Sequence, residues 1–186
     1  MNQNAFRVKG HSGKIIFITG GTKSGKSQFA EYLAKESEKL TYIALSENRG
    51  DDDDWQKKII KHRERRPRNW DVIETTNLIS ALNTEAGPIL IDSIGGFVME
   101  NINLENDEWF RKINTLLALL QKRKTLTFIV WEQVGWSLVS EYKIGNTYIE
   151  RIGELQNRIT NISNDNWLAI NGRAIKIDEI SLKIPK

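Results

Sequence analysis

The octapeptide Gly20-Gly21-Thr22-Lys23-Ser24-Gly25-Lys26-Ser27 has the form G-x-x-x-x-G-K-[ST]. Ahead of it, Lys14 to Thr19 (KIIFIT) is a short apolar run that predicts a strand. Behind it, Gln28 to Lys39 has helical composition, with Phe29, Ala30, Leu33 and Ala34 apolar. Strand, glycine turn and helix form the context in which this octapeptide binds phosphate; elsewhere it is a glycine turn that binds nothing. In that context successive backbone N–H groups turn inward as an anion nest, and the helix beginning near Gly25 adds its positive end. Lys26 then reaches the β- and γ-phosphates of a nucleoside triphosphate, and the Ser27 hydroxyl is available to Mg²⁺.

Outward from this loop, strand and helix signals alternate. Leu40 to Leu45 reads as a strand, and Asp51 to Arg65 as a charged helix that Pro67 ends. Trp70 to Glu74 is a short strand and Asn77 to Leu82 is helical. Pro88 resets the chain before the strand Ile89 to Asp92. Glu108 to Lys122 is amphipathic around Ile113, Leu116, Leu117 and Leu120; Thr125 to Trp131 is a buried strand; Tyr148 to Ile162 is helical again. Trp167 to Ile170 and Ala174 to Ile177 predict a hairpin across Asn171-Gly172. The expected fold is α/β, a mostly parallel sheet with helices on both faces and a C-terminal hairpin. A phosphate loop needs a second acid for the metal at a neighbouring strand end, and Asp92 is the candidate; its other reading is a helix N-cap.

With 186 residues the chain is expected to hold an N-terminal extension, residues 1–13, and one phosphate-loop domain, residues 14–186. No apolar stretch approaches the ~18 residues of a membrane span, and Met1 to Gly13 has no signal-peptide pattern. The absence of cysteine excludes disulfide scaffolds, thiolate zinc sites and thiol nucleophiles, and makes the cytoplasm the default compartment.

The net charge of +3 hides a local asymmetry, because Asp51 to Asp54 is followed by Lys57, Lys58, Lys61, His62, Arg63, Arg65, Arg66 and Arg68. A neutral imidazole is a competent nucleophile toward phosphorus, and flanking arginines can neutralise a triphosphate, so nucleotidyl transfer through His62 is chemically available. A solvated helix face and a nucleic-acid-binding patch are the competing readings. Glu64 and the acidic run dilute the patch, so no nucleic-acid partner is expected.

Four segments together resemble the bifunctional adenosylcobinamide kinase / adenosylcobinamide-phosphate guanylyltransferase family of cobalamin nucleotide-loop assembly. They are IIFITGGTKSGKSQFAE, TYIALS, KIIKHRERRPRNW with Glu74 four residues later, and ILIDSIGGFVMENI, in an order that holds from Lys14 to Ile177. The resemblance implies a RecA-like domain, often a trimer, that phosphorylates a corrinoid hydroxyl and then passes GMP from GTP to that phosphate. It implies ATP and GTP as substrates, Mg²⁺ as cofactor and a corrinoid as acceptor. His62 matches the family's GMP-accepting histidine, and Lys26 and Ser27 its loop residues. Leu45, Ser46 and Glu47, with Arg63, Glu64, Arg65, Arg66, Glu74 and Asp92, fall where the family contacts the nucleotide.

The C-terminal half departs from the family's pattern. Asn-Glu-Val-Gly becomes Glu132-Gln133-Val134-Gly135, Val-Pro-Glu becomes Val139-Ser140-Glu141, Arg-Asp becomes Ile149-Glu150 ahead of Gly153, and Asn-Gln becomes Gln156-Asn157. These positions belong to the part expected to form the acceptor side. They motivate a second reading, a divergent nucleotide-binding regulatory module without corrinoid turnover.

Overall fold

The computed structural model describes residues 14–45, 66–134 and 140–185. Among them, seven strands form one sheet: β1 (Ile15–Gly20), β2 (Thr41–Ala44), β3 (Asp71–Glu74), β4 (Ile89–Asp92), β5 (Thr127–Glu132), β6 (Asp165–Ile170) and β7 (Arg173–Lys176). The helices are α1 (Lys26–Ala34), α2 (Leu78–Thr84), α3 (Gly95–Glu100), α4 (Asn106–Lys122), α5 (Lys143–Ile162) and α6 (Ile177–Ile180). The strand order is β3-β2-β4-β5-β1-β6-β7, parallel except for β7 against β6.

The central strands are apolar on both faces because both faces are covered. Ile15, Phe17, Ile43, Ile89, Ile91, Ile129 and Trp131 face one cluster, closed by Leu78 of α2, Phe97 of α3, Trp109, Ile113, Leu116 and Leu120 of α4, and Leu155 of α5. The alternate residues Ile16, Ile18, Tyr42, Leu90, Phe128 and Val130 face the second cluster, closed by Ala30, Leu33 and Ala34 of α1. The period of two along each strand thus sorts side chains between two cores. The terminal hairpin turns at Asn171 and Gly172, whose φ values of 49° and 70° are the paired positive angles of a two-residue turn.

The alternation, the mostly parallel sheet and the hairpin agree with the expectation, and the differences lie at element ends. The first helix starts at Lys26, not Gln28, and stops at Ala34, not Lys39. Ala34 is its last buried residue before a polar stretch, and the chain turns there with Ser37 N–H donating to the Ala34 carbonyl at 2.9 Å. The helix expected from Tyr148 reaches back to Lys143. The short helices α3 and α6 were not expected; Phe97 and Val98 bury their side chains in spite of the glycine pair that opens α3. The helix expected over residues 51–65 lies outside the described residues.

Candidate active site

The loop between β1 and α1 has the backbone of a phosphate cradle. Lys23 at φ 58° and Gly25 at φ 94° turn the chain, and Gly25 caps α1 with its carbonyl accepting from Phe29 N–H at 2.9 Å. A glycine at position 25 suits the left-handed conformation there. Ser24 N–H donates to the Gly21 carbonyl at 3.3 Å, and the Lys26 Nζ donates to the same carbonyl at 3.2 Å, folding the lysine back over the loop. The buried Ser24 hydroxyl has no hydrogen-bond partner among the described residues. Thr22 and Lys23 are exposed at the loop's crest, and Ser27 is half-buried in the first turn of α1.

Because β2, β4, β5 and β1 are parallel, their C-terminal ends share one edge with this loop. Asp92 ends β4, and its Oδ2 accepts the Tyr42 hydroxyl at 2.5 Å. Tyr42 holds its proton far more tightly than a free phenol, first because it is buried and then because Asp92 is beside it, so it donates to the carboxylate. The Arg66 guanidinium stacks over the Tyr42 ring at 3.4 Å from the centroid, with its Nε 4.0 Å from Glu31 Oε1 of α1. Leu45 N–H donates to the Asp92 carbonyl at 3.4 Å.

Glu132 ends β5. Its Oε1 accepts the Ser93 hydroxyl and its Oε2 accepts Gly95 N–H at 3.3 Å. Burial, with a further push from Asp92 and a partial offset from Lys26 and backbone N–H donors, raises its carboxyl to about 7. Beside it, Gln133 Oε1 accepts from Thr19 Oγ1 at 3.1 Å and from Gln156 Nε2 at 3.4 Å.

The residues fit Mg²⁺ held jointly with a nucleotide. The Ser27 hydroxyl and Asp92 carboxylate are hard oxygen donors, and no group of three or more metal-ligating side chains occurs among the described residues. Mg²⁺ commonly takes one or two protein oxygens together with phosphates and water, so a two-donor set suits it.

The fold brings together Gly20, Gly21, Thr22, Lys23, Ser24, Gly25, Lys26, Ser27, Leu45, Arg66 and Asp92 at one end of the sheet. Glu74 ends the edge strand β3 at the same end of the sheet, exposed and in register with Ala44, which is itself in register with Asp92. Ser46, Glu47, His62, Arg63, Glu64 and Arg65 lie outside the described residues. Sequence reasoning did not assign Tyr42 to the site, and it named Glu132 only within the altered 132–135 motif expected on the acceptor side. For Glu132 a signal existed: like Asp92, it is an acid that closes a buried apolar strand. For Tyr42 there was none, since its partner is brought in by sheet pairing.

A phosphate loop on β1, with one strand between it and the acid-tipped β4, defines a P-loop nucleoside triphosphatase fold of RecA-like arrangement. A solved ATPase of a bacterial type III secretion system shares the fold at TM-score 0.54 and 12% identity, covering 89% of this chain and 58% of that one. The sequence profile of the cobinamide kinase / cobinamide phosphate guanyltransferase family matches residues 16–177, and the chain belongs to that family. The bifunctional adenosylcobalamin biosynthesis protein CobU of Escherichia coli K12 is 26% identical over 88% of this chain and 99% of its own length. Its counterpart in Salmonella typhimurium is 28% identical over the same shares. The chain is thus a nucleotide-using transferase of cobalamin biosynthesis, with the kinase and guanylyltransferase activities of its family.

Proposed function

We propose that this enzyme phosphorylates the adenosylcobinamide hydroxyl and passes GMP to the resulting phosphate through a guanylyl group carried on His62. The supporting observation is how the segment bearing His62 is anchored. It leaves the sheet at Leu45, whose N–H is bonded to the Asp92 carbonyl, and returns at Arg66, stacked on the tyrosine that is bonded to the Asp92 side chain. His62 and Arg66 are four positions apart, so their Cα atoms lie within about 14 Å of each other.

In the transfer, an imidazole nitrogen attacks Pα of GTP. A P–N bond forms, the bond from Pα to its bridging oxygen breaks, and pyrophosphate leaves as the ring proton passes to solvent. The corrinoid phosphate then attacks the same phosphorus and the P–N bond breaks. Lys26 holds the β- and γ-phosphates, while Arg63, Arg65 and Arg66 offset charge spread over the phosphate oxygens. Leu45, Ser46, Glu47, Glu64 and Glu74 complete the nucleotide contacts. In the kinase step the same loop presents the γ-phosphate of ATP or GTP. Ser27 and Asp92 would hold Mg²⁺, which supplies charge neutralisation at the phosphates.

The test is intact-protein mass spectrometry, under non-acidic conditions that preserve a P–N bond, after incubation with GTP and Mg²⁺. Wild type is expected to gain the mass of a guanylyl group and His62→Ala to gain nothing while still binding GTP. An adduct on His62→Ala would remove His62 from the mechanism.

A further inference from the structure

Between the phosphate loop and Asp92 the sheet edge carries a second carboxyl group that the mechanism above leaves unused. Glu132 closes β5, the strand between β1 and β4, in register with Gly20. Neighbouring strands lie ~4.8 Å apart, so Glu132 has the phosphate loop on one side and the chain that follows Asp92 on the other. Its carboxyl turns to Ser93 and Gly95 at the start of α3, and the charge of Lys26, the lysine that holds the γ-phosphate, acts on it across the sheet edge.

The surroundings keep Glu132 in one place. The Ser93 hydroxyl donates to one oxygen and Gly95 N–H to the other. Any side chain at position 95 would intrude here, because a Cβ would lie 2.7 Å from Glu132 Oε2 and 2.5 Å from the Tyr148 hydroxyl. The missing side chain lets the carboxyl of β5 and the phenol of α5 converge over the start of α3. The ionisable groups facing Glu132 are Asp92 from β4, Lys26 from α1 and Tyr148 from α5; burial and Glu132 together keep that phenol protonated. Asp92 is occupied, with one oxygen taken by Tyr42.

We propose that Glu132 is a catalytic residue of the kinase reaction, accepting the proton of the corrinoid hydroxyl as that oxygen attacks the γ-phosphorus. The new O–P bond forms, the bond from Pγ to the β–γ bridging oxygen breaks, the nucleoside diphosphate leaves, and the proton rests on Glu132 until it passes to water. A carboxylate fixed at this edge can take the proton of an attacking hydroxyl. This assignment rests on the kinase reading of the site and adds to it the residue that activates the acceptor.

The experiment measures phosphorylation of adenosylcobinamide under saturating acceptor by wild type, Glu132→Gln and Glu132→Asp, alongside the affinity of each for a non-hydrolysable GTP analogue. Glu132→Gln is expected to lower kcat by ~100-fold or more with analogue affinity within about twofold, and Glu132→Asp to recover an intermediate rate. A Glu132→Gln rate within about threefold of wild type would overturn the proposal, since a lost general base costs far more than that. So would loss of analogue affinity in parallel with rate, which would make Glu132 a brace for the sheet edge. A wild type that leaves adenosylcobinamide unphosphorylated would remove the kinase reading itself, and this proposal with it.

Discussion

Glu132 gives up part of its acidity to occupy the sheet edge, and that has a measurable consequence for folding. Its carboxyl rises from the ordinary value of 4.5 to about 7, chiefly because burial disfavours the charge. Between these values the folded chain binds a proton that the unfolded chain has released, so stability falls as pH rises through this window and is flat above it. The stabilisation present below pH ~4.5 and lost by pH ~7 is on the order of 3 kcal/mol. Glu132→Gln should remove this slope, and urea unfolding at pH 5 and pH 8 checks it; an unchanged slope would mean the carboxyl is not buried in solution. The same residue shows what was readable in advance. Asp92 and Glu132 both end apolar strands, yet only Asp92 was assigned to the nucleotide, because proximity to the loop depends on strand order, which lies beyond local pattern.

At the scale of the element, β2 links the nucleotide site to the segment bearing His62. Tyr42 points into the α1-side core, and its hydroxyl reaches sideways to Asp92 on the next strand. A hydrogen-bond partner behind a metal ligand orients it, and removing one commonly costs ~10-fold or more in metal affinity. Tyr42→Phe keeps the ring under Arg66 and removes only the hydroxyl. The nucleotide complex should then bind Mn²⁺ about 10-fold more weakly by electron paramagnetic resonance, with a stability loss of about 1 kcal/mol. Equal Mn²⁺ affinity in the two proteins would show that Asp92 keeps its orientation without Tyr42. The helix boundaries follow from the same packing. Polar residues 35–39 have helical composition but nothing to bury, so α1 ends where its contact with the sheet ends, a limit that composition does not register.

For the whole molecule, the larger core lies on the sheet face opposite the helix that follows the phosphate loop. The face covered by α2, α3, α4 and α5 holds the larger cluster, including the fully buried Trp109, Ile113 and Leu116 of α4, while the phosphate loop leads into α1 on the opposite face. Leu116→Ala should therefore cost about 3 kcal/mol in urea unfolding and leave nucleotide affinity unchanged under conditions where the variant is folded. A matching loss of affinity would mean that the two faces are coupled. The octapeptide, its flanking strand and helix, the alternation behind them and the histidine among arginines were all set by the sequence alone, because backbone geometry and side-chain period are local properties. Which strand ends become neighbours, that Tyr42 holds Asp92, and that the strand ending in Glu132 stands between β4 and the loop's strand were decided only by the tertiary structure. Strand order is chosen by the packing of two cores at once, and that packing acts between residues far apart in the chain.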